Sequence, residues 1–363
     1  MCDFKTTIAQ MKYFTIILSS LFSMISFAQK NEDVIVEPEP HKLDEYFKKH
    51  NPSGIKKVYI ISKNKKTDFT NDTLNVDLYN EDGLKTHTIR YEKNSPASNL
   101  QLIYDDNRNL VKSIYTQNKV KERTGITDFK YDNENQLTEE YYKSIFGENI
   151  ERTVTKKYKY IDKKLVEKTI YQTNNLTQTD SFFYSKNNLT SHKTVYSLGN
   201  NDFENTYTYN KLGQLEKKET YSISKDGQKN LFGKATYKYE KDKLISISEI
   251  EGKNLLNNEP VLTYYHYGNN GKISKMRVEY KSFYREVDYE YSGQKIISIN
   301  VITNTENSAY MKFWTSTFGH YIDKMPFTYK EVFDFDDKDN LIRKKILIND
   351  ELINEVNYII EYY

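Results

Sequence analysis

Residues 207–215 read Tyr207-Thr208-Tyr209-Asn210-Lys211-Leu212-Gly213-Gln214-Leu215, and the fold follows from reading them. On an extended strand residues two apart share a face, so Tyr207 and Tyr209 present both rings to one side of a sheet. Asn210 to Gln214 then supply residues that close Asx turns or accept a positive φ, as a tight strand reversal requires. Leu215 restarts a run of strand formers. The phrase therefore predicts strand, turn, strand.

The same phrase recurs along the chain. Clear copies run from Tyr158-Lys159-Tyr160 to Leu165, Tyr237-Lys238-Tyr239 to Leu244, Tyr265-His266-Tyr267 to Ile273, Tyr289-Glu290-Tyr291 to Ile296 and Phe333-Asp334-Phe335 to Leu341. Looser copies place Tyr79 before Leu84, Tyr104 before Leu110, Tyr131 before Leu137 and Tyr184 before Leu189. The ten aliphatic anchors fall at 84, 110, 137, 165, 189, 215, 244, 273, 296 and 341, so eight of nine spacings lie between 23 and 29 and one is 45. Such a period marks a repeat architecture, here about ten β-hairpins of period about 26. One hairpin buries four or so large side chains, on the order of 6–12 kcal/mol, against ordering roughly 26 residues at about 1–2 kcal/mol each. Stability must then be collective, with each hairpin adding strands to its neighbours' ladder. About twenty antiparallel strands in an open sheet curl or coil, so the expected fold is all-β, a long curled or superhelical meander over residues 55–363.

Tyrosine alternating with polar turns, as in Tyr131-Asp132-Asn133 and Tyr209-Asn210 through Gly213, resembles the YD repeat of RHS-type proteins over roughly residues 70–350. The resemblance implies a spiralling β-sheet shell. The repeats run nearly to Tyr363, so the expectation is a short stand-alone array with no toxin domain after it.

Composition agrees with a globular β protein. Of 363 residues, 37% are hydrophobic and 29% charged, and 33 tyrosines against 18 phenylalanines carry much of the apolar surface. Mean hydropathy is −0.81. A formal net charge of +2, spread evenly, offers no field for nucleic acid. The single cysteine, Cys2, precedes the predicted cleavage point, which leaves the mature chain without disulfides or thiolate chemistry.

From Met11, the expected true start, the chain reads as a signal peptide. Lys12 is the basic n-region, Tyr13 to Phe27 the apolar run, and Ser26-Phe27-Ala28 the cleavage site, so residues 1–28 are expected to be removed. No cysteine follows the apolar run, so export to the periplasm or cell surface without a lipid anchor is expected. Residues 29–54 form a linker around Glu37-Pro38-Glu39-Pro40, with Leu43, Tyr46 and Phe47 marking a short helix that would cap the first strand edge.

An exported many-stranded protein could also be an outer-membrane barrel, but Leu215-Glu216-Lys217-Lys218-Glu219 puts charge on both faces in mid-strand. Basic residues facing mid-bilayer lipid cost about 2–4 kcal/mol each, so no stable membrane insertion is expected.

The long spacing before Leu341 marks an irregular aromatic-rich insertion at about 302–332. Its Phe313, Trp314, His320 and Tyr321 are the candidate ligand-binding residues, because aromatic rings stack on glycans or peptides at small entropic cost. No histidine pair has zinc spacing, and no nucleophile elbow or phosphate loop occurs. Asp334, Asp336, Asp337 and Asp339 lack the glycine and distal glutamate of a calcium loop. The expectation is therefore a non-catalytic scaffold or binding surface without metal or cofactor, its partner an envelope protein or a glycan.

Overall fold

The computed structural model describes residues 54–363 apart from 65–70, 93–94, 118–122, 198–200, 253–258, 281–282, 294 and 304–326. The described residues form twenty-two strands. The first six are β1 (Ile55–Asn64), β2 (Asn71–Tyr79), β3 (Lys85–Glu92), β4 (Ser95–Tyr104), β5 (Leu110–Gln117) and β6 (Arg123–Tyr131). There follow β7 (Leu137–Phe146), β8 (Asn149–Ile161), β9 (Lys164–Gln172), β10 (Asn175–Ser185), β11 (Asn188–Tyr196) and β12 (Asn201–Tyr209). Next are β13 (Leu215–Ser224), β14 (Lys229–Glu240), β15 (Lys243–Glu251), β16 (Val261–Tyr267) and β17 (Ile273–Tyr280). The last are β18 (Phe283–Ser292), β19 (Lys295–Thr303), β20 (Phe327–Phe335), β21 (Leu341–Ile348) and β22 (Glu351–Tyr362). Each of the ten aliphatic anchors lies within one residue of the start of a strand.

Every strand pairs antiparallel with its predecessor, and β1 also pairs with β22, from Ile55 opposite Tyr362 to Asn64 opposite Asn354. The sheet is thus a closed 22-stranded barrel, not the open curled or superhelical meander expected from the repeat. Closure pairs both edges that an open sheet would leave exposed. The pairing joins strands about three hundred residues apart, and no local pattern in β1 or β22 encodes it.

The polar turns have one recurring geometry. Asn80, Asp105, Asp132, Asn210 and Asp336 each accept, through a side-chain oxygen, the amide of the residue four ahead. The fourth turn residue then takes a positive φ, as at Gly83 (76°), Asn135 (59°), Gly213 (78°) and Asp339 (70°). The second tyrosine of each phrase ties one hairpin to the last. Tyr104, Tyr131, Tyr184, Tyr209, Tyr267 and Tyr291 donate to the backbone carbonyls of Lys85, Leu110, Leu165, Leu189, Leu244 and Ile273 at 2.9–3.0 Å. Lysines preceding the anchors then lie over the next hairpin's ring, as Lys243 does over Tyr267 at 4.9 Å and Lys272 over Tyr291 at 4.8 Å.

One face of this single layer carries a continuous apolar cluster across β16 to β22, β1 and β2. Val287, Tyr329, Ile348 and Ile353 in it are at most 2% exposed. Side chains converge inside a ring and splay apart outside it, so this crowded face is the interior. Registers carry the same face around the barrel to Glu140, Asp180, His192, Lys218 and Glu249. The exterior holds Lys130, Lys275, Arg277, Glu286, Asp334 and Arg343.

Candidate functional site

The interior divides into an apolar sector, described above, and a polar sector from β7 to β15. Three groups of charged side chains line the polar sector. On β7 and β8, Glu140 accepts from Lys156 Nζ at 2.6 Å and from Tyr158 Oη at 2.5 Å. Burial works against its charge, but those two donors prevail and hold its carboxyl below the usual range.

On β10 and β11, Asp180 accepts from Thr194 Oγ1 at 2.7 Å and from Gln178, with His192 Nε2 at 3.4 Å. Burial again opposes the charge, and the hydrogen bonds of His192, Thr194 and Gln178 keep Asp180 ionised below the usual range. Phe182 stacks on the His192 ring, centroids 4.5 Å apart. The Thr194 hydroxyl donates to Asp180 and also lies 3.3 Å from His192 Nε2, so the three side chains form one closed polar network.

The third group is different. Lys218 on β13 is 7% exposed. Registers set it opposite Tyr207 of β12 and Ala235 of β14, and Ala235 opposite Glu249 of β15. One pair along, Thr220, Gly233 and Glu251 form a parallel row. The two middle residues are small, yet Ala235 is only 4% exposed and the Glu251 side chain lies against Gly233, so the larger side chains around them close over the β14 backbone. Among the described residues no carboxylate stands within 4 Å of the Lys218 ammonium, although Glu249 and Glu251 attract it. Burial dominates and lowers its pKa to about 8. Burial pushes Glu249 up, Lys218 opposing. It also raises the phenols of Tyr207 and Tyr237, which flank Lys218 and Ala235 on the same face. Glu251 is exposed at the end of its strand.

Phe313, Trp314, His320 and Tyr321, the residues singled out from the sequence, lie outside the described residues, as do the predicted signal peptide and helix. The strands flanking the insertion end at Thr303 and resume at Phe327. His266 is exposed on the outer face, opposite its flanking tyrosines. Asp336 serves the turn, and its second carboxylate oxygen accepts from Tyr362 at 2.9 Å. The Lys218, Glu249 and Glu251 group was missed because its parts come from separate strands. The available signal was Gly233 and Ala235 in the middle of an otherwise bulky strand, where a small residue marks close approach or open space.

No family model matches the chain, so the YD-repeat resemblance rests on its residues alone. No curated protein matches it either. Among solved structures, a complex described as TcdB2-TccC3-Cdc42 aligns at 11% identity and TM-score 0.26, over 77% of this chain and 22% of that one. This chain thus spans less than a quarter of that protein's length. A porin-like protein from Bacteroides uniformis ATCC 8492 aligns at 12% identity and TM-score 0.31, over 85% of this chain and 98% of the other. A second from Bacteroides vulgatus ATCC 8482 aligns at 14% identity and TM-score 0.24, over 86% and 99%. Likeness this distant carries no argument about function.

Proposed function

We propose that the chain is an exported, non-catalytic barrel of the cell envelope, water-soluble on its outside, that holds a ligand against the polar sector of its inner wall. The observation that carries this reading is the segregation of charge. Ion pairs cross the outer face within the strands, Lys275 with Glu286 at 2.8 Å and Asp288 at 3.3 Å and Arg277 with Glu286 at 3.5 Å, and others lie beside the turns, Lys130 with Glu139 at 2.7 Å and Arg343 with Asp334 at 2.5 Å. Lipid in place of water there would cost about 2–4 kcal/mol for each basic residue near the midplane. The charges buried inside include Lys218, which has no carboxylate within 4 Å among the described residues, and a buried, perturbed charge is a functional-site candidate.

Closure also favours a second reading, a membrane-spanning barrel, because only edgeless sheets can cross lipid. Fractionation of expressing cells decides between them. The proposed function expects the protein in the soluble envelope fraction after high-speed centrifugation without detergent. Recovery only in detergent, with resistance to extraction at alkaline pH, would reverse the choice.

A further inference from the structure

Successive strands run in opposite directions, so every turn that follows an even-numbered strand opens onto the same rim of the barrel. Side chains tie several of these turns to the next. Asn109 Nδ2 donates to Asn135 Oδ1 at 3.1 Å, Gln214 Nε2 to the Lys241 carbonyl at 3.2 Å, and Lys272 Nζ to the Gly293 carbonyl at 2.9 Å. Charge is even along the sequence, but the hairpins sort it on this rim. Residues 79–85, 104–110 and 131–137 hold Glu81, Asp82, Asp105, Asp106, Asp132 and Glu134 against Lys85 and Arg108. The next four turns, from 161–164 to 240–243, hold Lys163, Lys164, Lys186, Lys211, Lys241 and Lys243 against Asp162, Glu240 and Asp242.

Lys163, Lys186, Lys211 and Lys241 are exposed, one to each of those four turns. Neighbouring strands stand about 4.8 Å apart, so the turns recur about every 10 Å and the four lysines span about 30 Å. Lys163 reaches Glu134 at 3.9 Å, but among the described residues no carboxylate stands within 4 Å of Lys186, Lys211 or Lys241. The backbone gives no reason for lysine here. Lys163, Lys186 and Lys241 take φ of 62°, 55° and 58°, a left-handed conformation that glycine or asparagine adopts more readily. Gly213 and Asn135 show that choice elsewhere on the rim. A disfavoured conformation kept at three of four turns points to the charge as what these positions require.

A row of cations at a regular step fits a linear polyanion whose charge recurs at a similar step. Nucleic acid carries one charge per about 3.4 Å of strand, about three for each lysine. A polysaccharide with one carboxylate per disaccharide is sparser and closer to the lysine step. We infer that this basic arc of the rim binds an acidic polysaccharide of that kind, its carboxylates meeting Lys163, Lys186, Lys211 and Lys241. Each exposed contact is weak, and four engaged together supply the affinity. The neighbouring acidic turns repel the polyanion and end the bound stretch beside Lys163. The choice of a polysaccharide rests on the reading that the chain is exported, and it adds a surface apart from the inner wall.

Fluorescence anisotropy of the purified protein with labelled hyaluronate oligosaccharides of increasing length, at low salt, tests it. Affinity is expected to rise with each disaccharide up to four and then level off. The quadruple variant Lys163→Asn, Lys186→Asn, Lys211→Asn, Lys241→Asn is expected to bind at least tenfold more weakly. Asparagine suits these turns, so the urea midpoint of the variant should not fall. Hyaluronate that fails to bind at any length, affinity indifferent to length, or a folded variant that binds as the wild type does overturns the assignment. Tighter binding of duplex DNA carrying the same number of charges also overturns it, in favour of a nucleic acid. Fractionation tests export separately. An exported barrel that ignores hyaluronate defeats the polysaccharide alone, and a chain kept in the cytoplasm defeats the parent reading.

Discussion

The two sectors of the inner wall are built on the same hairpin and stabilised differently. From β16 round to β2 the interior face is mostly Ile, Val, Tyr and Phe, with Asp77, Glu331 and Lys344 buried among them, and the seam between first and last strand lies within this stretch. From β7 to β15 the same positions hold Glu140, Asp180, Lys218 and Glu249, and few side chains lose all contact with water. The ring of tyrosines hydrogen-bonded to carbonyls runs through both. The strand plan is therefore set by turns and tyrosines, and the contents of the interior can vary without disturbing it. One sector holds the barrel shut, and the other tolerates polar and charged side chains on the same strand plan.

This contrast can be broken by mutation. Phe333→Ala, at 3% exposure in the apolar sector, should cost about 3–5 kcal/mol, whereas Phe203→Ala, which meets Phe232 edge-on at 5.6 Å in the polar sector, should cost well under half of that. Urea midpoints of the two variants give the comparison, and equal losses would erase the distinction between sectors.

Lys218→Met should raise stability by about 3 kcal/mol at neutral pH, because a pKa of about 8 in place of 10.5 penalises the charged form in the folded state. The sign is fixed by linkage. Between pH 8 and 10.5 the unfolded chain holds more protons, so wild-type stability rises with pH there and the advantage of the variant shrinks. A gap that stays constant to pH 10.5 would show that the ammonium is not the source.

Glu140→Gln should cost about 1–3 kcal/mol by weakening the bonds from Lys156 and Tyr158. Its carboxyl is held below the ordinary 4.5, so the stabilisation is present above that pH and lost as pH falls through the folded value. Acid titration of wild type and variant by circular dichroism should converge at low pH.

Smaller still, Tyr184→Phe removes one bond of the tyrosine ring, the 3.0 Å contact with the Leu165 carbonyl, for about 0.5–1.5 kcal/mol. Lys130→Ala on the exterior should leave the urea midpoint where it is, since exposed ion pairs contribute little.

Much of the strand plan was legible in the sequence because its signals are local. Tyr209, Asn210, Gly213 and Leu215 each dictate something within five residues, and the anchors mark where strands open. Closure was not legible. The pairing of Tyr59 with Ile359 depends on the accumulated twist and tilt of twenty intervening strands, which no window of sequence contains. The buried charge group around Lys218 was hidden for a related reason. Lys218 looked like one of several mid-strand charges, and only the registers through Ala235 show which of them face Glu249.

The seam also sets a schedule. Gly54 accepts a backbone bond from Tyr363, so the ladder from Ile55 cannot complete until the twelve residues of β22 have emerged. Until then both rims of the growing sheet are adhesive, and ring formation must outpace pairing with another chain. A truncation that removes only β22 would accordingly leave a half-made ring with two sticky borders, and its expected fate is aggregation.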